Sequence, residues 1–491
     1  MSATATLEPP APANWVDWLR RELAPSHERG VRTLILVGGA VLCVIISMSL
    51  QVPEVAVSAY MVFFISKENK TVTTLVGILG LIGLTIGIVV SLLLYRVTFG
   101  HPELRVPAMA MVLFLGMYAS RVLVIGPLGF LMGFVIAVTQ SIGELLPSPE
   151  LLVRACLWIW VAVAYAISLT VILNGLFLAQ PAGRAKHLPL PKSLFVPDAF
   201  TNPAHMRFAL KVTLAAMFCY VLYSAIDWFG IHTAFITCAF IALESTGATL
   251  RKGVLRAAGC CIGGLLALFS IVFLIPHMES IASLVVLVAC VSAIAGWVAT
   301  GTERIAYAGL QMAFAFYYSL FPGFDGFAPD TDLGDVRNRV VGIFLGLIVT
   351  AIVFHYVWPE RAIDRLRDLL REILQEFSEL LAIPSSRTSG KEAKAKAEAL
   401  IREISRELEL ARRETELTRF EIDDAGGLET ILAHAEEILA RGITLFSNSG
   451  WQEMEQMPPE AQQAASELRR DLSQIAAKLN TLNENKQRGS L

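Results

Sequence analysis

Eight polar or ionisable side chains lie within or beside the long apolar blocks of this sequence. The second half of the chain supplies six, Asp227, His232, Glu244, Arg304, Tyr307 and Gln311, and the first half supplies Glu68 and Arg121. A charged group at membrane depth costs about 2.5–3.5 kcal/mol, so such groups normally face water or each other. We therefore predict that these eight residues line the pathway of a transported anion.

Two arginines are the predicted ligands of that anion. Arg121 and Arg304 would attract a carboxylate, and Tyr307 and Gln311 would line the passage. On this hypothesis the substitution Arg304→Ala abolishes resistance to an aromatic acid. Both arginines also fall at predicted helix ends, where basic residues serve simply as topology anchors, and the sequence leaves this alternative open.

The acidic candidates have two explanations as well. Glu244, and Glu68 at the corresponding place in the first half, could carry a coupling proton. Each could instead cap a helix or form an ion pair, Glu244 with Arg251 and Glu68 with Lys70.

Motifs of catalysis are missing from the chain. It contains no GxxxxGK[ST] phosphate loop, no HExxH, no GxSxG and no metal-like spacing of His and Cys. All seven cysteines lie in apolar blocks, as small buried hydrophobes do. We expect no enzyme activity, no cofactor, no metal and no nucleic-acid partner, but a conduit or carrier with the lipid bilayer around it.

The apolar blocks predict an all-α, polytopic membrane protein. Of the 491 residues 55% are hydrophobic and 17% are charged, and the mean hydropathy is +0.58. A spanning helix needs about 20 apolar residues. Twelve segments qualify as membrane segments: 31–50, 53–65, 72–95, 106–120, 122–143, 152–179, 207–226, 231–243, 253–275, 281–300, 305–321 and 336–358.

The two sets of six segments repeat one pattern. With an offset of 176 positions, Glu68 corresponds to Glu244, Gly83 to Gly259 and Gly87 to Gly263. An even number of segments returns the chain to its starting side, so the repeats are predicted to be parallel. The matching glycines are typical of close helix packing, which competes with a role in ligand contact.

Short segments at matching places indicate a substrate site. Segments 53–65 and 231–243 are too short for a straight crossing, and Gly126-Pro127 interrupts the fifth segment of the first half. Basic residues cluster between segments on one side, which predicts cytoplasmic N- and C-termini. That count places Arg256 among the cytoplasmic charges and Arg339 on the opposite side, with Asp325 and Asp330.

Five regions follow from these patterns. We expect an N-terminal tail with an interfacial helix at 1–30, a first six-helix repeat at 31–180 and a linker at 181–205. A second six-helix repeat covers 206–358. Amphipathic, charge-rich sequence then predicts a C-terminal cytoplasmic helical bundle at 359–491.

Three ordered motifs resemble the fusaric acid resistance family of bacterial inner-membrane proteins, which includes aromatic acid exporters. They are LESTGATLRKGVLRAAGCCIGG, TERIAYAGLQMAFAFYYSLFPG and DLGDVRNRVVGIFLGLIVTAIVFHYVWPERA. The resemblance implies efflux of aromatic carboxylic acids or related toxic anions, driven by the proton gradient. It also implies a periplasmic adaptor protein and an outer-membrane channel as partners; a homo-oligomer is a further expectation.

Two rival functions remain at this point. A passive anion channel of the same architecture would conduct without proton coupling. A scaffold or sensor would act through the C-terminal bundle and use the membrane region as an anchor.

Overall fold

A computed structural model describes most of the chain. The described residues are 15–146, 148–178, 193–321, 329, 331–382, 390–418, 426–449, 463, 466–468, 470–475 and 477–478. Apart from one isolated bridge between Leu123 and Phe195, all regular structure in these residues is helical. The all-α prediction is confirmed.

Each of the twelve predicted membrane segments forms a helix. After the N-terminal α1 (Trp15–Glu22), the first repeat contains α2 (His27–Leu50), α3 (Val55–Ile65), α4 (Lys70–Thr98), α5 (Pro102–Val122), α6 (Gly126–Ser141) and α7 (Pro149–Phe177). The second contains α8 (Pro203–Ala225), α9 (Thr233–Ile241), α10 (Thr246–Phe269), α11 (Ile281–Ala299), α12 (Ala306–Leu320) and α13 (Leu333–Tyr356).

Eight helices in the described residues are long and apolar enough to cross a membrane, namely α2, α4, α5, α7, α8, α10, α11 and α13. The polytopic prediction is therefore confirmed. Helices α3 and α9 have 11 and 9 residues, about 17 and 14 Å at 1.5 Å per residue, against a hydrocarbon core of about 30 Å. As predicted, they are too short for a full crossing.

The helices of the two repeats pack in the same way. Helix α2 packs against α11, and its counterpart α8 packs against α5. The start of α2 meets the end of α11 where Arg29 Nε donates to Trp297 O at 2.9 Å. The start of α8 meets the end of α5, where the Arg121 guanidinium lies 5.5 Å from the Phe208 ring centroid. Arg32, near the start of α2, pairs with Glu68 directly before α4, so α2 and α4 begin at the same end of this bundle. Since α5 returns the chain to that end, α8 begins there too, as parallel repeats require.

The matching glycines bring helices together. A Cβ on Gly259 would lie 2.3 Å from Ala308 O of α12, and one on Gly263 would lie 2.3 Å from Met312 O. In the first repeat the equivalent Gly83 and Gly87 face α6. Small residues four apart permit such close approach of two helix backbones. The packing explanation for these glycines is confirmed.

Two compact units divide the chain. One comprises residues 1–242 and 252–357, and the other comprises 243–251 and 358–491. The second unit contains α14 (Ala362–Ala382), α15 (Gly390–Thr418) and α16 (Gly426–Ser449). Their apolar faces share one core, which Leu468, Leu472 and Ile475 also join.

Some predictions fall outside the described residues. They concern the tail before Trp15, the first part of the linker (residues 181–192), the acidic residues Asp325 and Asp330, and much of the predicted bundle after residue 449. Within the predicted tail a helix does form, as α1, and its place at the membrane interface stays a prediction.

Candidate functional site

One face of α12 carries a line of polar and aromatic side chains. Tyr307, Gln311, Phe314 and Tyr318 are spaced by four, three and four residues, so they lie above one another on the same face of the helix. Gln311 and Phe314 are buried, and Tyr307 and Tyr318 are half-buried. This face lies in the interior of the membrane unit.

Arg256 on α10 approaches that face at Gln311. Its side chain is only 2% exposed. Its Nη1 donates to Gln311 Oε1 at 2.5 Å and lies 3.5 Å from Tyr307 Oη, and its Nε donates to Thr237 Oγ1 of α9 at 3.2 Å. Arg256 is ten residues into α10, about 15 Å along the helix axis.

Within the described chain, two donors at this contact have no acceptor within hydrogen-bond distance, although the Tyr60 hydroxyl lies near the Gln311 amide. Arg256 Nη2 and Gln311 Nε2 are buried and make no hydrogen bond with any residue that the structure describes. Since a guanidinium only donates, the Gln311 atom that faces it must be the carbonyl oxygen, which leaves the amide NH₂ as a donor. Both groups can therefore donate to one added acceptor.

Arg339 on α13 approaches the same face two turns further along. Its guanidinium carbon lies 5.4 Å from the Phe314 ring centroid and 4.6 Å from that of Tyr318. Its Nη2 donates to Tyr318 O at 3.2 Å. The Arg256 guanidinium is 5.5 Å from the same Phe314 ring, so both arginines flank Phe314.

Lys252 completes a row of cations along α12. It lies one turn before Arg256 on α10, and its Nζ is 5.1 Å from the Tyr307 ring centroid. The three cations occur in order along α12. Lys252 lies beside Tyr307, Arg256 beside Gln311, and Arg339 beside Tyr318. We call these three cations the basic ladder.

In the part of the chain that the structure describes, neither arginine of the ladder is ion-paired, although Asp335, one turn before Arg339 on α13, acts on Arg339 electrostatically. Among the described residues neither Arg256 nor Arg339 forms an ion pair with a carboxylate, although pairs form elsewhere in the chain. A buried charge is expensive unless it is paired and hydrogen-bonded. An anionic ligand would supply the missing charge and the missing acceptor together.

Aromatic rings from both repeats surround the ladder. Phe314 contacts Tyr60 of α3, with ring centroids 4.9 Å apart. Phe240 of α9 lies 5.9 Å from the Arg256 guanidinium and 6.3 Å from Phe64 of α3. Phe64 and Phe240 are both half-buried and retain accessible surface. A planar aromatic ligand would find ring faces and edges here.

The structure brings two of the predicted pathway residues, Tyr307 and Gln311, to this site. Arg121 and Arg304 lie instead at helix ends. The Arg304 side chain is 51% exposed, and its Nη1 is 3.9 Å from Glu22 Oε1. These positions agree with topology anchors.

Asp227 and His232 lie in the connection between α8 and α9. Asp227 is exposed and has a φ of 52°, in the left-handed region. The ring of His232 is half-buried, and its Nδ1 lies 3.1 Å from Phe229 O. His232 lies near enough to Arg339 of the ladder for the two groups to interact electrostatically, whereas no contact of Asp227 with the ladder occurs among the described residues.

The two predicted coupling carboxylates form ion pairs. Glu68 binds Arg32, with Oε1 to Nη1 at 3.0 Å, rather than Lys70. Glu244 belongs to the second unit and binds Arg365, with Oε2 to Nη1 at 2.5 Å, rather than Arg251. The general expectation of ion pairing was right, but both suggested partners were wrong.

Sequence reasoning missed Arg256 and Arg339 as site residues. Although both lie just inside the predicted segments 253–275 and 336–358, it counted them with the charges at the membrane surfaces, whereas Arg256 is buried inside the membrane unit and Arg339 packs on the rings of α12. One signal was available for Arg256, because Val254, Leu255, Ala257 and Ala258 make its immediate neighbours apolar.

Comparison with known proteins supports the resemblance found in the sequence. Residues 215–354 match the family described as fusaric acid resistance protein-like, and that segment contains every residue of the ladder. Multidrug resistance protein MdtO of Escherichia coli K12 is 36% identical over 187 residues, which are 38% of this chain and 27% of MdtO. MdtO of Shigella flexneri is 37% identical over 189 residues, 38% of this chain and 28% of the relative.

The matched segment spans about a quarter of the length of these curated relatives. No solved structure matches the chain. Over residues 215–354 the predicted resemblance is confirmed.

Proposed function

We propose that this chain, which resembles fusaric acid resistance proteins over residues 215–354, is an efflux transporter for aromatic carboxylic acids or related toxic anions. We place it in the bacterial inner membrane with both termini in the cytoplasm. The observation that carries the proposal is the pair of buried donors without acceptors, Arg256 Nη2 and Gln311 Nε2, beside the ring of Phe314.

The substrate carboxylate binds between Arg256 and Gln311. One oxygen accepts from the guanidinium and the other from the amide, which satisfies both donors. Hydrogen bonds to charged groups contribute about 1.5–3 kcal/mol each. The aromatic part of the substrate packs on Phe314 and Phe240, so the site selects an anion joined to a flat ring.

Movement follows the ladder along α12. Lys252 receives the anion, Arg256 binds it in the interior, and Arg339 draws it toward the other end. Several sites of moderate strength allow a ligand both to enter and to leave. The two repeats would rock about this site, and the short helices α3 and α9 would form its walls.

Coupling and partners come from the resemblance. Proton-driven export, a periplasmic adaptor and an outer-membrane channel belong to the proposal on that basis, as does the absence of enzyme activity. Since Glu244 is bound to Arg365 in the second unit, coupling would use another group or a movement that frees this carboxylate.

The test compares two arginines. Radiolabelled benzoate flux is measured in inverted vesicles that carry Arg256→Gln or, as the matched control, Arg304→Gln. Losing a charge-assisted hydrogen bond of about 1.5–3 kcal/mol predicts roughly 10- to 100-fold weaker uptake for Arg256→Gln. The control should retain uptake within about twofold, because exposed ion pairs contribute little.

Folding is checked separately. Membrane abundance and thermal unfolding are measured for both variants and for Gln311→Leu, which removes the second donor and keeps the arginine. Normal uptake by a well-folded Arg256→Gln protein would overturn the proposed site, and loss of uptake in Arg304→Gln alone would return the substrate to the helix ends.

A further inference from the structure

Three glutamates meet between two helices of the second unit. Glu376 lies on α14, and Glu403 and Glu407 lie one turn apart on α15. Each offers one carboxylate oxygen, and these three oxygens all lie within 4.8 Å of one another. The two helices approach along an apolar seam, so the carboxylates gather at its edge.

This cluster has buried oxygens without partners. Glu407 is only 7% exposed, and its Oε2 accepts no hydrogen bond from the part of the chain that the structure describes. Glu376 Oε2 is likewise buried and accepts no hydrogen bond from the described residues. The neighbouring residues Ile404 and Leu408 are buried core residues. A buried carboxylate without a donor or counter-ion is strongly destabilising.

The cations near this cluster are too few to neutralise its three carboxylates. Arg406 hydrogen-bonds Glu403, its neighbour by three residues, and is the only cation among the groups that act most strongly on Glu407. Glu372 of α14 adds a further negative charge. Burial, together with repulsion from Glu376, Glu372 and Glu403, raises the pKa of Glu407 to about 7.

We propose that Glu376, Glu403 and Glu407 bind one divalent cation of the hard, oxygen-preferring class. Three oxygens that are at most 4.8 Å apart can all lie within about 2.8 Å of a common point (4.8 Å divided by √3). Ca²⁺–oxygen distances are about 2.3–2.6 Å, so a small inward rotation of the side chains suffices. Mg²⁺, at about 2.0–2.1 Å, would demand a larger contraction, and this favours Ca²⁺; Mn²⁺, which also prefers oxygen ligands, serves as a spectroscopic probe.

The cation would join α14 to α15. It would neutralise the cluster and supply the partner that Glu407 Oε2 and Glu376 Oε2 lack. The site lies wholly within the second unit and is independent of the transport proposal. Sequence inspection could not detect it, because Glu376 and Glu403 are 27 positions apart in the chain.

Direct binding is the first test. The full-length protein in detergent is titrated with Mn²⁺ and followed by electron paramagnetic resonance, with Ca²⁺ as competitor. One Mn²⁺ per chain is expected, and Glu407→Gln should weaken binding at least tenfold. Glu409→Gln is the matched control, since Glu409 is exposed on the same helix and bonds Arg413. Equal Mn²⁺ binding by Glu407→Gln and the natural protein would overturn the site, as would the absence of stoichiometric binding.

Stability gives a second readout. Ca²⁺ should raise the Tm of the natural protein and of Glu409→Gln, but not that of Glu407→Gln. Without added ion, Glu407→Gln should melt at or above the natural protein, because it removes one of three crowded charges. A lower Tm for the metal-free variant would show that Glu407 already has a stabilising partner and would overturn the proposal.

Discussion

The two membrane repeats share one helix plan but differ in their interiors. Arg256 of the second repeat corresponds to Gly80 of the first at an offset of 176 positions, and Gln311 corresponds to Leu131 at 180. An offset of 183 positions aligns Val153-Arg154 with Val336-Arg337. At this offset Arg339 corresponds to Cys156. Each polar member of the site has an apolar or small counterpart.

This difference shows that the two repeats share the close packing of their helices but not the polar side chains of the site. The glycine contacts of α10 with α12 recur as contacts of α4 with α6, so both repeats keep the scaffold. The cations beside the polar face of α12 belong to the second repeat only, although the first repeat buries Arg29 and Arg105 elsewhere. The proposed site therefore lies to one side of the axis between the repeats, and the first repeat supplies rings such as Tyr60 to it rather than charges.

The strongest challenge to this comparison is to place an arginine in the first repeat. A Cβ at Gly80 meets only Ile167 and Ile65, at 3.5 and 3.8 Å. Gly80→Arg should therefore bury an unpaired charge and cost about 3–5 kcal/mol, enough to remove most folded protein from the membrane. Immunoblotting of membranes and detergent size-exclusion profiles would measure this.

Gly80→Ala is the control for that variant. Its Cβ has room, and alanine favours the helix by about 1 kcal/mol over glycine, so abundance should be unchanged or higher. Normal abundance of Gly80→Arg would mean that the first repeat also contains a polar gap.

An intermediate loss of thermal stability should distinguish the glycine contact of α10 with α12 from that of α4 with α6. Gly259→Ala would put its Cβ 2.3 Å from the backbone oxygen of Ala308 and displace α12, whereas Gly83→Ala would meet Leu128 and Leu131 side chains at 3.0 Å, which can rotate. Overpacking typically costs about 1–3 kcal/mol, and we expect that range for Gly259→Ala and less for Gly83→Ala. Thermal unfolding in detergent measures both, and equal losses would contradict the difference.

The smallest effect concerns the ring beside the ladder. Phe240→Leu removes the cation–π contact with Arg256 and should raise the KM for benzoate about two- to fivefold, since such contacts contribute about 0.5–1 kcal/mol. Its counterpart variant Phe64→Leu should change KM by less than twofold. A larger effect at Phe64 would move the substrate toward the first repeat.

Much of the fold could be predicted from the sequence. Long apolar blocks separated by charged turns define helices almost alone. Each predicted membrane segment proved helical, to within about four residues at either end except for segment 253–275, whose helix α10 covers Thr246–Phe269. The glycine pattern was equally informative, because the absence of a side chain has a direct consequence for helix spacing.

The candidate site was only half predictable. Tyr307 and Gln311 were found because they are polar residues in an apolar helix. Arg256 was overlooked because a one-dimensional count treats an arginine near a helix start as a surface charge. Its burial depends on α9 and α12, which bring Thr237 and Gln311 to it from elsewhere in the chain. The ion pair of Glu244 with Arg365 is equally nonlocal, with 121 positions between the partners.

The contact between Phe64 and Phe240 has a mechanical consequence. These rings occupy the same position in the two repeats, at the offset of 176, and they touch each other. Two equivalent points can meet only close to the axis that exchanges the halves. In the proposed rocking of the repeats, points there would travel least, so this pair would form the pivot and the helix ends far from it would sweep the widest arcs.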